Sequence, residues 1–457
     1  MQAGAGSGAH ERDTIVALAT PPGRGATALV RVSGPSAFAI ATRHLRSWPS
    51  EARTSHLCDV IDGAERLDTA LVTVFPAPNS FTGEDTVEIS THGGYLVAST
   101  VIAALTLSGA RQASPGEFTR RAVLNGKLDV LQAEGIGDLI DAGSRAMQKT
   151  ALAQLDGGLS RRLLALRDDL IGLEALLAYD VDFPEEDDGP IPRERIRVAA
   201  TRIVESLDSL LATAPIGELV REGATVVIAG APNAGKSSLF NALLGRSRAI
   251  VTPIPGTTRD ALEAVVDTGK WPLRLVDTAG LRPTEDQLER MGIEVSERYL
   301  READVVLACG DDARSLEHVI GAIRSHSKAP IVAVRTKSDL VTNRDQSPSL
   351  PEMYWVSAER GSGFPELVGA IDRVVDARQG EIAADTPILT NARHRRAIET
   401  ACLEARDFER AWAEERLPAT IAAVHLRTAV AALEELIGSV EIEDVLDRVF
   451  SSFCVGK

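Results

Sequence analysis

Only four cysteines occur in 457 residues, and Cys58, Cys309, Cys402 and Cys454 stand too far apart for a CxxC pair or a zinc spacing. That scarcity argues against a disulfide framework and for a reducing compartment. Long apolar runs are also missing: none approaches the roughly 18 residues that span a bilayer. Residues 1–12 are small and polar with no apolar segment, and read as a disordered tail rather than a signal peptide. The expectation is a cytoplasmic protein with no membrane association. Positive charge is in deficit as well, with 49 Lys and Arg against 65 Asp and Glu and a net charge of −16. A nucleic-acid partner would therefore need a local basic surface or a second protein.

What is present falls into three textures. A chain of 457 residues exceeds one core, and a prior of roughly 150 residues per domain suggests about three. Over residues 13–128, short β-rich runs at 14–18, 28–32, 70–74 and 86–89 alternate with turn signals such as Pro21-Pro22-Gly23. This predicts an α+β domain. Over 129–222 the apolar period becomes helical, as in Leu163, Leu166, Leu170, Leu173 and Leu177, with an acidic loop at Glu185 to Asp188 read as solvated. Over 223–379 strands and helices alternate, which implies a parallel sheet with crossover helices. Strands are expected at 225–229, 274–276, 305–308, 331–334 and 354–356. Over 380–457 the helical period returns through Leu426, Val430, Leu433 and Leu436. The predicted fold is multidomain, α/β and α: an N-terminal α+β domain, a helical bundle, and a Ras-like P-loop G domain inserted into that bundle.

The third texture carries the sharpest chemistry. Gly230-Ala-Pro-Asn233-Ala234-Gly235-Lys236-Ser237 matches GxxxxGK[ST] between an apolar strand and a helix opening at Ser238. Such a loop turns backbone N–H groups onto a phosphate, and the helix N-terminus adds favourable dipole charge. Lys236 would neutralise the β- and γ-phosphates, and the Ser237 hydroxyl would ligate Mg²⁺. Asp277-Thr278-Ala279-Gly280 follows the next strand; Asp277 would hold a water on Mg²⁺ and the Gly280 N–H would meet the γ-phosphate. Thr336-Lys337-Ser338-Asp339 places a carboxylate at Asp339 for the two donors on the guanine edge, which adenine lacks. Thr336 stands where Asn is usual, a departure expected to bear on guanine affinity. Ser357-Ala358 completes the base pocket.

Leu281 occupies the position at which Ras-like enzymes carry a water-orienting glutamine. The segment Glu285-Asp-Gln-Leu-Glu289 supplies carboxylates instead, with Glu289 the candidate to orient water. Thr258, in Gly256-Thr257-Thr258-Arg-Asp260, is read as the switch threonine on Mg²⁺. No arginine finger is evident, so a K⁺ ion held by Asn233, Thr252 and Thr257 is expected to supply the missing positive charge.

The chain as a whole resembles the tRNA-modification GTPase family MnmE, also called TrmE. The resemblance covers residues 13–457 and rests on Asp13-Thr-Ile-Val-Ala-Leu-Ala-Thr-Pro-Pro-Gly-Arg-Gly25, Phe81-Thr-Gly-Glu-Asp85 and His92-Gly-Gly94. It rests equally on Pro115-Gly-Glu-Phe118, Gly126-Lys127-Leu-Asp129, Val181-Asp-Phe-Pro-Glu-Glu-Asp187 and the terminal Phe453-Cys-Val-Gly-Lys457. It implies a homodimer that works in a heterotetramer with an FAD-dependent partner (MnmG, or GidA) on tRNA. The implied reaction adds a (carboxymethyl)aminomethyl group to carbon 5 of the wobble uridine, using a one-carbon unit from a 5-formyl- or methylene-tetrahydrofolate. Folate contacts implied by the resemblance are Arg31, Glu88, Lys127 and Lys457, with Cys454 the candidate catalytic thiol. It places K⁺ on Asn233, Thr252, Thr257 and the Ile254 carbonyl, Mg²⁺ on Ser237 and Thr258, and water orientation on Glu289. The alternative is a ribosome-assembly GTPase that binds rRNA. Such proteins append a basic RNA module such as a GxxG-bearing KH domain, and no GxxG follows Gly380.

Overall fold

The computed structural model describes residues 13–182, 192–246, 262–277, 298–340, 352–379, 387–414, 418–438 and 456. The chain divides into two compact units, Met1–Gly137 with Glu434–Lys457, and Asp138–Leu433.

The first unit is built on six strands: β1 (Ile15–Leu18), β2 (Thr27–Ser33), β3 (His56–Asp62), β4 (Glu65–Phe75), β5 (Thr86–His92) and β6 (Arg111–Gln112). They lie in the order β3-β4-β5-β2-β1-β6, antiparallel except for the β1–β6 pair. Side chains alternate across a strand, so Ala28, Val30 and Val32 share a face with Val72, Val87 and Ile89. Ile40, Val101 and Leu105, from the helices Ala37–Thr42 and Val97–Leu107, pack on that face. Among the described residues, the opposite face carries a small core at the β1 end, formed by Ile15, Ala17, Ala113 and Phe118. Farther along it, Arg31 and Glu88 are half-buried, and Leu71 and Leu57 are exposed.

The second sheet comprises β7 (Ala224–Gly230), β8 (Leu262–Asp267), β9 (Pro272–Asp277), β10 (Val305–Gly310), β11 (Ile331–Arg335) and β12 (Met353–Trp355). Its order is β12-β11-β10-β7-β9-β8, parallel but for β8. Every residue of β10 is buried, as is all of β7 but Gly230. Such continuous apolar strands are what a sheet covered on both faces requires. Helices Lys236–Arg246 and Phe364–Gln379 cover one face and Ala313–His326 the other.

Three strands escaped the sequence reading: β3, β6 and β8. All three lie at sheet edges. An edge strand tolerates polar side chains, as in Leu-Cys-Asp-Val-Ile-Asp of β3, so its apolar signal is weak.

Helices flanking the second sheet in sequence meet in space. The Arg193 guanidinium, on helix Arg193–Leu211, lies 4.7 Å over the Trp412 ring and donates to the Trp412 carbonyl at 3.1 Å. Arg406 forms an ion pair with Asp208 across the same two helices. The chain thus leaves a helical layer, builds the parallel sheet, and returns to that layer through Ala392–Ala413.

Candidate functional site

Strands β7, β9 and β11 run parallel, and the phosphate, Mg²⁺ and base motifs all follow their C-terminal ends, where open α/β sheets place ligands. The loop after β7 turns through Asn233 (φ 62°) and Gly235 (φ 81°), both left-handed. Glycine adopts that region freely, and asparagine is among the few others that do so often. Lys236 is buried, and its Nζ donates to the carbonyls of Gly230 and Ala231, each at 2.8 Å. The ammonium is thus held over the loop by the loop itself. Ser237 Oγ donates to Asp277 Oδ2 at 2.9 Å, and Asp277 is fully buried. A hydroxyl and a carboxylate in contact are two hard oxygens, the donor type that Mg²⁺ prefers, so this pair fits that ion. Ser238 stands exposed on the first turn of the helix.

The base-selecting segment is tied to the phosphate loop through Thr336. Its hydroxyl donates to the Ala234 carbonyl at 2.7 Å, and its backbone N–H donates to the Gly310 carbonyl at 3.0 Å. The side chain that departs from the usual asparagine therefore still bridges the two loops, buried and hydrogen-bonded. Ser357 Oγ donates to Asp339 Oδ1 at 2.6 Å. That bond holds the Asp339 carboxyl below its ordinary range and so favours its ionised form. Lys337 (φ 54°) reaches Asp311 at 3.2 Å, and Ala358 is exposed beside Ser357. The remaining expected residues, Thr252, Ile254, Thr257, Thr258, Thr278, Ala279, Gly280 and Glu289, lie outside the described residues. Of the expected K⁺ set only Asn233 is described.

In the first unit the cross-strand register sets Arg31 directly opposite Glu88. They form an ion pair at 2.7 Å, so each satisfies the other. The Arg31 guanidinium also sits 5.5 Å from the Phe81 ring centroid and 5.6 Å from that of Phe118. Those distances are within cation–π range. Sequence reasoning had not assigned either ring to the site, though both fall in the motifs Phe81-Thr-Gly-Glu-Asp85 and Pro115-Gly-Glu-Phe118. Lys127 Nζ donates to the Pro78 carbonyl at 3.0 Å. Cys454 and Lys457 lie outside the described residues, but Gly456 between them is buried at φ 98°. A Cβ there would come within 2.1 Å of the Leu18 carbonyl, so only glycine lets the terminal backbone press against the end of β1.

Behind Arg31 lies an ion cluster that the sequence did not announce. Arg121, with a side chain only 6% exposed, donates to Asp13 at 2.5 Å, Glu117 at 3.0 Å and Glu84 at 3.2 Å. Arg111 bridges Asp13 and Glu117, each at 2.7 Å. Burial opposes the Glu117 charge, yet the bonds from Arg111, the Ser114 N–H and Arg121 outweigh it and hold its carboxyl below the ordinary range. Asp13 behaves alike: burial raises it, and Arg111 and Arg121 lower it further. Glu84 also accepts from Ser33 Oγ at 2.8 Å, fastening the 80–85 loop, and with it Phe81, to β2.

Recognition of guanine by a carboxylate separates GTPases from other phosphate-loop proteins, and on this geometry the chain is a P-loop GTPase. Comparison with known proteins narrows the class. The MnmE helical domain model matches residues 130–454, and the model of the GTP-binding protein TrmE N-terminus matches 14–127. The tRNA modification GTPase MnmE of Moorella thermoacetica is 41% identical, covering 97% of this chain and 99% of its own length. That of Heliobacterium modesticaldum is 43% identical over the same shares. The chain belongs to the tRNA modification GTPase MnmE family. Among solved structures, the G domain of the T. maritima FeoB iron transporter covers 34% of this chain and 99% of its own, at 25% identity and a TM-score of 0.28. That likeness adds nothing to the assignment.

Proposed function

We propose that this GTPase couples GTP hydrolysis to modification of the wobble uridine of tRNA. It would add a (carboxymethyl)aminomethyl group at carbon 5 with an FAD-dependent partner protein, as a homodimer in the cytoplasm. The observation that carries the folate part of this reading is the Arg31–Glu88 pair between Phe81 and Phe118. A reduced folate has a flat pterin with donor and acceptor edges and an acidic tail. The two rings offer flat apolar surface, Glu88 can accept from the pterin, and Arg31 can meet an anionic or carbonyl oxygen. Gly456 against Leu18 supports including the terminal segment, because Leu18 pairs with Val30, next to Arg31 on β2.

In the nucleotide site, Lys236 neutralises phosphate charge, Asp339 selects guanine, and Ser237 with Asp277 would hold Mg²⁺. That ion, when bound, stabilises charge developing on the phosphate oxygens. Thr258 would join it, and Glu289 would orient the attacking water. Asn233, Thr252, Thr257 and the Ile254 carbonyl would hold K⁺, which adds positive charge where other GTPases use an arginine finger.

The decisive experiment is nucleoside analysis of tRNA from cells lacking the gene. The expected result is loss of the modified wobble uridine, restored by the wild-type gene and not by Lys236→Ala; unchanged nucleosides would refute the function. GTP hydrolysis compared in K⁺ and Na⁺ tests the cation assignment, and equal rates would remove it.

A further inference from the structure

The second unit contains a cavity of about 660 Å³ beside the turn that joins β8 to β9. That volume is in the range of small-molecule sites, roughly 300–1,000 Å³. Its floor is apolar and buried, formed by Leu159, Ile216 and Val220. One wall is the half-buried Trp271, fixed by its Nε1 donating to Asp376 Oδ1 at 2.9 Å. Its mouth has the opposite character: Arg145, Lys149, Arg161 and Lys270 are all exposed there, and among the described residues Asp156 is the one lining carboxylate. Lys270 is already paired with Asp376 at 2.5 Å, and Arg161 donates to the Asp156 carbonyl at 2.7 Å. The side chains of Arg145 and Lys149 form no ion pair among the described residues, and the one carboxylate beside them, Asp267, accepts from the Arg145 backbone N–H at 3.3 Å. They stand four apart on helix Arg145–Leu155, a spacing at which like charges repel. In a chain of net charge −16, two adjacent unpaired cations over an apolar floor are conspicuous.

We propose that this cavity binds an amphipathic small-molecule anion, a phosphate or carboxylate carried on a flat apolar body, and that its occupancy alters GTP turnover. A bare phosphate would leave the floor unused, and a neutral apolar ligand would leave the cations unused. The link to turnover is the β8–β9 hairpin. Gly269, Lys270 and Trp271 form its turn and line the cavity, while β9 ends at Asp277 of the nucleotide site. β8 begins two residues after Asp260, and β9 pairs with β7, the strand that leads into the phosphate loop. A ligand that holds the turn therefore acts on the one hairpin that connects both switch motifs. This coupling rests on the GTPase assignment and not on the tRNA or folate readings.

The test uses the full chain and the fluorescent probe 8-anilinonaphthalene-1-sulfonate, an aromatic body with one sulfonate. Saturable binding is expected, weakened about tenfold or more by Lys149→Glu and kept within about twofold by Lys149→Arg, since loss of one charge-assisted contact is of that size. Ala153→Phe, at an exposed lining position, fills the cavity and should abolish binding. The uncharged analogue N-phenyl-1-naphthylamine should not respond to Lys149→Glu. Saturating sulfonate probe should change the GTP hydrolysis rate of the wild type and leave that of Lys149→Glu at its basal value. Equal probe affinity in wild type, Lys149→Glu and Ala153→Phe would overturn the site, and an unaltered hydrolysis rate with the probe bound would overturn the coupling.

Discussion

The two charged sites of this chain are held in place by different means. In the nucleotide site the main chain does the holding: Lys236 is fixed by two loop carbonyls, Thr336 by another, and the glycine and asparagine of the loop supply the turns. Around Arg31 the holding is done by side chains from distant segments. Asp13, Glu84, Arg111, Glu117 and Arg121 interlock, and their partners are up to 108 residues apart. A site made from backbone keeps its shape when one side chain changes. A site made from interlocked charges does not, because removing one member leaves its partly buried neighbours short of a partner.

The sharpest way to break the comparison is therefore Arg121→Met. Glu84 would lose its arginine, and Asp13 and Glu117 would keep only Arg111, which predicts a loss of about 3 kcal/mol of stability in the first unit. Hydrogen exchange over residues 111–124 should accelerate strongly, and exchange in β7 and β10 should stay as in the wild type. Protection unchanged at 111–124 would mean the cluster holds nothing together. At the nucleotide site, Lys236→Ala should show the converse. Folding is retained, by circular dichroism, while kcat/KM for GTP falls about 10²–10³-fold, the usual effect of deleting one group that stabilises developing charge. A smaller loss would mean that the loop's N–H groups neutralise the phosphates without it.

Thr336 tests the main-chain side of the contrast at lower amplitude. Thr336→Val keeps the shape and deletes a buried donor, leaving the Ala234 carbonyl unmet, at a cost of about 1–3 kcal/mol. Guanine-nucleotide affinity measured by calorimetry should fall correspondingly, and Thr336→Ser should recover most of it. Equal affinity in Val and Thr forms would show that the bridge between the loops is dispensable.

Legibility in the sequence followed the same division. The phosphate loop, Asp277, Asp339 and Ser357 were readable because each lies within a few contiguous residues whose backbone conformation is local. The buried strands β7, β10 and β11 were readable for a similar reason, being continuous apolar runs. The Arg31–Glu88 pair depends on a register of 57 residues' separation, and no local pattern encodes it. It was named through family resemblance, and its aromatic flanks Phe81 and Phe118 were not assigned at all. Nothing in the sequence distinguishes Arg121, a buried arginine with three carboxylate partners, from a solvated one. The Pro115-Gly-Glu-Phe118 motif was visible, yet its role needed the fold: Glu117 ties the helix to Arg111 while Phe118 faces Arg31. Edge strand β3 stayed hidden because polar residues are permitted there.

The finest distinction is in acid. The Asp13 and Glu117 carboxyls are held below their ordinary values in the folded chain. Their contribution to stability is therefore complete above the unfolded values, about 4, and is lost as pH falls through the lower folded ones. Protection of residues 111–124 should stay level from pH 7 to about 4.5 after correction for intrinsic exchange, then decline at more acid pH. Glu117→Gln should lower protection across the range and flatten the acid decline, because one titrating partner of Arg111 and Arg121 is gone. The Asp339 carboxyl, also lowered but bound chiefly to a hydroxyl, belongs to the other site and should leave this profile untouched when changed to Asn. A decline beginning near pH 6 would assign the acid sensitivity to a histidine instead.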